Sequence, residues 1–129
     1  MQVEILPVVL AAVLNMVVGY AWYSPWLFGK VWARLAKVDE KEMSNRQWAP
    51  IAGFACSLVI AYFLAFFQNI GAISNVSDGM LFSGLLWLGF NATSQISGVI
   101  WMGQPFRLFV LTAGGSLLGY LVMGGFIAS

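Results

Sequence analysis

Histidine is absent from these 129 residues, cysteine occurs once, and only 9% of positions are charged. With no imidazole there is no general base poised near neutral pH and no histidine ligand for zinc or haem. The single thiol, Cys56, has no intrachain partner for a disulfide, and its place in an apolar run reads it as a small packing residue. A glycine-rich phosphate loop, a paired-carboxylate site and a nucleophile motif are missing too. The chain is therefore expected to be non-enzymatic, with no cofactor and no metal. A formal net charge of +1 gives no basic excess, which sets nucleic acid aside as a partner.

What the chain has in quantity is apolar sequence. Hydrophobic residues make up 60% of it, and mean hydropathy is +0.84. They gather into four stretches, Val3 to Trp22, Ala49 to Phe67, Met80 to Met102 and Leu108 to Ile127, with no charge in the middle of any of them. A helix needs about 20 apolar residues to cross a hydrocarbon layer roughly 30 Å thick, and each stretch is close to that length. The expected fold is an all-α membrane protein, a single four-helix transmembrane domain over residues 1–129. Glu4 and Asp78 fall at helix ends, where a carboxylate is solvated or complements the positive N-terminal dipole.

The six basic residues set an orientation. Lys30, Arg34, Lys37, Lys41 and Arg46 lie between the first and second stretches and Arg107 between the third and fourth, whereas Gln68 to Ser77 has none. Basic residues of short loops stay in the cytoplasm, so both termini and the second loop are expected outside. The opening Met1-Gln2-Val3-Glu4 lacks a basic n-region and no small-residue cleavage site follows, so the first stretch reads as a retained span.

The most distinctive segment follows that span: Trp22-Tyr23-Ser24-Pro25-Trp26-Leu27-Phe28-Gly29-Lys30. Ser24 suits a helix N-cap with Pro25 at the first helical position, so a short amphipathic interfacial helix is expected between the first and second spans. Lys30, Arg34, Lys37 and Lys41 share one face and Leu27, Phe28, Val31, Leu35 and Val38 the other. Trp22, Tyr23, Trp26 and Trp32 cluster at one depth, as an aromatic belt does, or as a groove for a lipid, quinone or partner protein does. Trp22, Tyr23, Ser24, Pro25, Trp26, Phe28, Lys30 and Arg34 are the candidate interfacial residues. Ser44 with Gln47 suits a capping box before the second span.

Inside the spans two further patterns stand out. Ala49, Gly53, Ser57, Ala61 and Ala65 recur every four residues, and Gly115 and Gly119 repeat the spacing in the fourth span. Such stripes let helix backbones approach closely, within one chain or between copies, so a leucine at Gly53 or Ser57 is expected to block the contact. Polar residues at mid-depth are Asn15 in the first span and Asn91 in the third. Asn91, Ser94, Gln95 and Gly98 share a face. An unpaired amide in hydrocarbon costs several kcal/mol, so these side chains must face protein or water, as structural contacts or as the lining of a polar path.

Trp22-Tyr23-Ser24-Pro25 with Phe28-Gly29-Lys30, then Leu86-Trp87-Leu88-Gly89-Phe90 and Gln104-Pro105-Phe106-Arg107-Leu108-Phe109, resembles the bacterial membrane proteins grouped as domain of unknown function 1761. The resemblance runs over nearly the whole chain and departs at Thr112, where the family pattern has asparagine. It implies four spans in the bacterial inner membrane and brings no activity with it. The expected role is an accessory or structural subunit of a homo-oligomer or larger membrane complex, its partners the bilayer and helices docked on its small-residue faces. The alternative is a small channel or transporter with a path lined by Asn15, Asn91 and Gln95.

Overall fold

Apolar residues spaced along uninterrupted helical stretches leave no choice but to satisfy the backbone internally, and the computed structural model of the chain has helices joined by turns and no strand among its described residues, 3–24, 26–37 and 47–129. Three helices are long and apolar enough to cross a membrane: α1 (Ile5–Trp22), α3 (Ala49–Ile70) and α7 (Phe106–Ala128). Pro7 and Pro50 fall in first turns, where the missing N–H breaks no helical bond. Between α1 and α3 lies α2 (Gly29–Ala36), which packs on α7 and leaves Lys30, Arg34 and Lys37 exposed.

The stretch expected as the third span is not one regular helix. It runs as α4 (Val76–Leu86), a π-helical segment (Trp87–Ala92), α5 (Thr93–Gln95) and α6 (Ser97–Met102). The junctions keep helical dihedrals, φ −63° and ψ −42° at both Leu86 and Ala92 and φ −62° and ψ −19° at Ile96. The wide π turn frees carbonyls from the usual ladder, and two hydroxyls cover them: Thr93 donates to the Gly89 carbonyl at 2.8 Å and Ser94 to that of Phe90 at 2.6 Å.

Asn75 opens α4 with its side-chain oxygen accepting from the Asp78 amide at 2.9 Å, and Asp78 completes the reciprocal cap by accepting from Asn75 Nδ2 at 2.8 Å. Asp78 thereby meets the expected dipole role. At the other end Gly103, φ 69°, takes the left-handed position after α6, and the Gln104 amide returns to the Gly98 carbonyl at 3.1 Å.

Ser24 acts in the opposite sense to the one expected. Its hydroxyl donates back to the Ala21 carbonyl at 2.8 Å, so it finishes α1 and does not cap α2, whose N-cap is Phe28. The Phe28 amide reaches the Trp22 carbonyl at 3.1 Å and the Gly29 amide that of Ser24 at 2.9 Å. These bonds fold the chain back so tightly that a Cβ on Gly29 would press on the Tyr23 and Ser24 carbonyls. That contact is the physical reason for glycine in Phe-Gly-Lys. Pro25, Lys41, Arg46 and the Ser44–Gln47 capping box lie wholly or in part outside the described residues.

α7 is the hub, packed against α4 and α1 and, less extensively, α3. Its contact with α4 is close enough that a Cβ on Gly79 would meet the Gly124 carbonyl and Ala128, while one on Gly124 would meet Ser83 and the Gly79 carbonyl. Val8, Ala11, Ala61, Leu64, Ala65 and Met123 form the buried core between α1, α3 and α7. Gln68, 2% exposed, closes the same end by donating to the Gly124 carbonyl at 3.0 Å. Many large exposed apolar side chains, among them Leu6, Val17, Ile51, Phe63 and Val110, lie on the three long apolar helices, as a lipid-facing surface requires.

Candidate functional site

The half of the bundle nearer the basic residues is packed differently. α3 contacts α1 and α7, while the π segment and α6 contact α7, and α5 contacts those two neighbours. Between these two walls lies a cleft of about 760 Å³, lined by residues of α1, α2, α3, the π segment, α5 and α7 and of the α1–α2 turn. Asn15, Gly53, Ser57, Asn91, Gln95 and Gly115, six of the residues singled out in the sequence for separate reasons, all line it.

On one wall Asn15 Nδ2 donates to Ser57 Oγ at 2.8 Å, and the Ser57 hydroxyl itself finds only the Met16 sulfur, at 3.8 Å. The Asn15 carbonyl oxygen rests where a Cβ of Gly119 would stand, so Gly119 is what lets α1 close onto α7. On the other wall Trp87 Nε1 donates to Ser116 Oγ at 2.9 Å, Ser116 Oγ to Asn91 Oδ1 at 3.2 Å, and Asn91 Nδ2 reaches Tyr120 Oη at 3.4 Å. The π turn is what brings Trp87 and Asn91 onto α7 together. Gln95 lines the cleft as well, and its Oε1 is buried with no partner.

The aromatic segment forms the mouth. Trp22 turns inward, its Nε1 donating to the Leu111 carbonyl at 3.0 Å, with its ring against Gly114 and Gly115 and 4.6 Å from that of Phe28. Tyr23 and Trp32 meet edge to face at 5.4 Å and both line the cleft. Burial pushes the Tyr23 phenol above its usual range. Trp26, 93% exposed, stands apart from this group, as do the exposed Lys30 and Arg34.

Two expectations change here. The small-residue stripe of α3 splits: Ala61 and Ala65 are buried in the bundle, while Gly53 and the largely buried Ser57 border the cleft, and a Cβ on Gly53 would meet only the end of Met16 at 3.8 Å. A larger residue at Gly53 enters open space and does not block helix approach. Ser94, grouped by spacing with Asn91 and Gln95, is exposed and spends its hydroxyl on the Phe90 carbonyl. Sequence spacing also missed Tyr120, Ser116, Trp87 and Gln68. The signal for Gln68 was present as the first of two amides, Gln68-Asn69, at the end of an apolar run; Tyr120 passes for a belt aromatic.

A family model described as Protein of unknown function (DUF1761) matches residues 6–128. Neither the curated proteins nor the solved structures contain a match to the chain.

Proposed function

The chain belongs to the DUF1761 family, whose function is unknown, and on that premise we propose that it is a four-pass, non-enzymatic protein of the bacterial inner membrane that binds a small neutral molecule in its intramembrane cleft. The observation that carries this reading is the convergence of Asn15, Ser57, Asn91, Gln95 and Tyr120 on one cleft whose wall is mostly apolar. Clefts of roughly 300–1,000 Å³ that are mostly apolar with a few placed polar groups are the usual form of small-molecule sites. Amides and hydroxyls orient a bound molecule and offer no group that exchanges protons near neutral pH, which supports binding or passage over chemistry. Plugging tests it. Gly53→Phe places a ring in the cleft; protein purified into nanodiscs should then lose a small molecule that extraction and mass spectrometry find with the wild type at about one per chain, while its thermal midpoint holds. Equal content in both proteins would sink the reading.

The four-pass topology takes the succession Val76–Met102 as the remaining crossing, because its helical junctions carry the chain from the Asp78 end to the end bearing Arg107. With Lys30, Arg34 and Lys37 also at that end, both termini face the periplasm. In a Cys56→Ser background, Ser74→Cys should be labelled by an impermeant maleimide added outside intact spheroplasts and Lys37→Cys only after lysis; the reverse would overturn the orientation.

A second reading, an accessory subunit of a homo-oligomer or larger complex, draws on Trp26 and Trp101, 93% and 83% exposed, which offer aromatic surface to another membrane helix. It is compatible with an occupied cleft.

A further inference from the structure

The donors and acceptors around the cleft are not in balance, and their imbalance describes the molecule that fits. Among the described residues lining it none is charged, so an ion entering it would meet no counter-charge at a depth where an unpaired charge is most costly. The occupant is therefore neutral. Much of the wall is apolar, including Met16, Ile60 and Met123, so its body is apolar too.

The polar lining then sets the head. Ser57 has an O–H satisfied only by a thioether, a weak acceptor. Tyr120 Oη accepts a long bond from Asn91, and no acceptor takes its own hydrogen. The amides of Asn15 and Asn91 each use one N–H on a protein partner and keep a second. Against these spare donors stand two amide oxygens that accept no hydrogen bond, those of Asn15 and Gln95. A molecule rich in acceptors completes this lining, and an alcohol or amine, which brings donors, does so less well.

We infer that the cleft is a binding site for a neutral, carbonyl-bearing amphiphile, its carbonyl oxygens received by Ser57 and Tyr120 and its apolar portion held among Met16, Ile60 and Met123. This inference rests on the cleft being a binding site at all. Two membrane constituents share the chemistry, isoprenoid quinones and neutral glycerol esters, and the experiment separates them.

Wild-type protein in nanodiscs is titrated with decylubiquinone, dioleoylglycerol, octadecanol and stearate, and binding is followed by native mass spectrometry. Saturable binding of one molecule per chain is expected for one or both carbonyl compounds, the tighter naming the source. Octadecanol should bind at least about tenfold more weakly and stearate not at all. Ser57→Ala and Tyr120→Phe should each weaken the carbonyl ligand several-fold, since each removes one hydrogen bond. Their thermal midpoints, measured without ligand, identify any variant that fails to fold, and the other then decides. Octadecanol binding as tightly as the carbonyl compounds, or both folded variants binding like wild type, overturns the carbonyl assignment and leaves the binding site standing. No saturable binding by any neutral amphiphile, with Gly53→Phe indistinguishable from wild type, overturns the site itself.

Discussion

Replacing Gly124 by leucine is expected to leave no stably folded protein. A Cβ at this position meets Ser83 Cβ at 2.5 Å and the Gly79 carbonyl oxygen at 2.7 Å, and the Ser83 hydroxyl closer still. Backbone is on the opposing side, so no rotamer change relieves the contact. Ordinary overpacking costs about 1–3 kcal/mol, and a clash that forces α4 and α7 apart also strips the buried Gln68 amide of its acceptor on Gly124. The combined loss should reach about 4–6 kcal/mol, enough to consume a stability at the low end of about 5–15 kcal/mol. The matched control is Gly89→Ala, where nothing lies within 4 Å of the new Cβ. Thermal unfolding in mild detergent should show a wild-type midpoint for the control and no cooperative transition for Gly124→Leu. A cooperative transition within a few degrees of wild type in Gly124→Leu would show that the α4–α7 crossing is not the tight one described.

Trp22→Ala should be the next most damaging change. The indole fills the space over Gly114 and Gly115, meets the Phe28 ring at a tilt of 45°, and donates to the Leu111 carbonyl at 3.0 Å. Truncating a packed tryptophan costs about 3–5 kcal/mol, and here the lost bond leaves a carbonyl short of a donor as well. Trp22→Phe should recover the packing but not the bond, losing about 1–2 kcal/mol. Trp26→Ala, at the neighbouring but 93% exposed tryptophan, should change the midpoint by far less. If Trp22→Ala and Trp26→Ala unfold together, the aromatic cluster is a uniform belt and the inward role given to Trp22 fails.

That contrast shows where reading the sequence stops. Trp22 and Trp26 are four residues apart at one depth, and composition cannot say that one points into the bundle and the other away. Long apolar runs are written plainly, so α1, α3 and α7 begin and end within a few residues of the expected bounds. The π segment is different: Trp87–Ala92 has no local signature that separates it from an α-helix, because its stability comes from Thr93, Ser94 and the docking of Trp87 on α7. Ser24 failed for another reason. Serine suits either end of a helix, and only the tight turn at Gly29 decides which. For the cleft, spacing identified Asn15, Ser57, Asn91 and Gln95 one helix at a time. What it lacks is the distance between helices, which is why Gly53 reads as a point of contact when it borders empty space.

The closed and open halves of the bundle have a kinetic consequence. Beyond the cleft the Met123 and Leu64 core, the Gln68 tie and the glycine crossing pack the other half of the bundle, while Tyr23 and Trp32 line the cleft at the end of the basic residues. A molecule held there would lie toward that end. Exchange would then be with one leaflet only, its net rate following the content of that leaflet and saturating when every cleft is filled, and the far leaflet and the voltage across the membrane would have little hold on it.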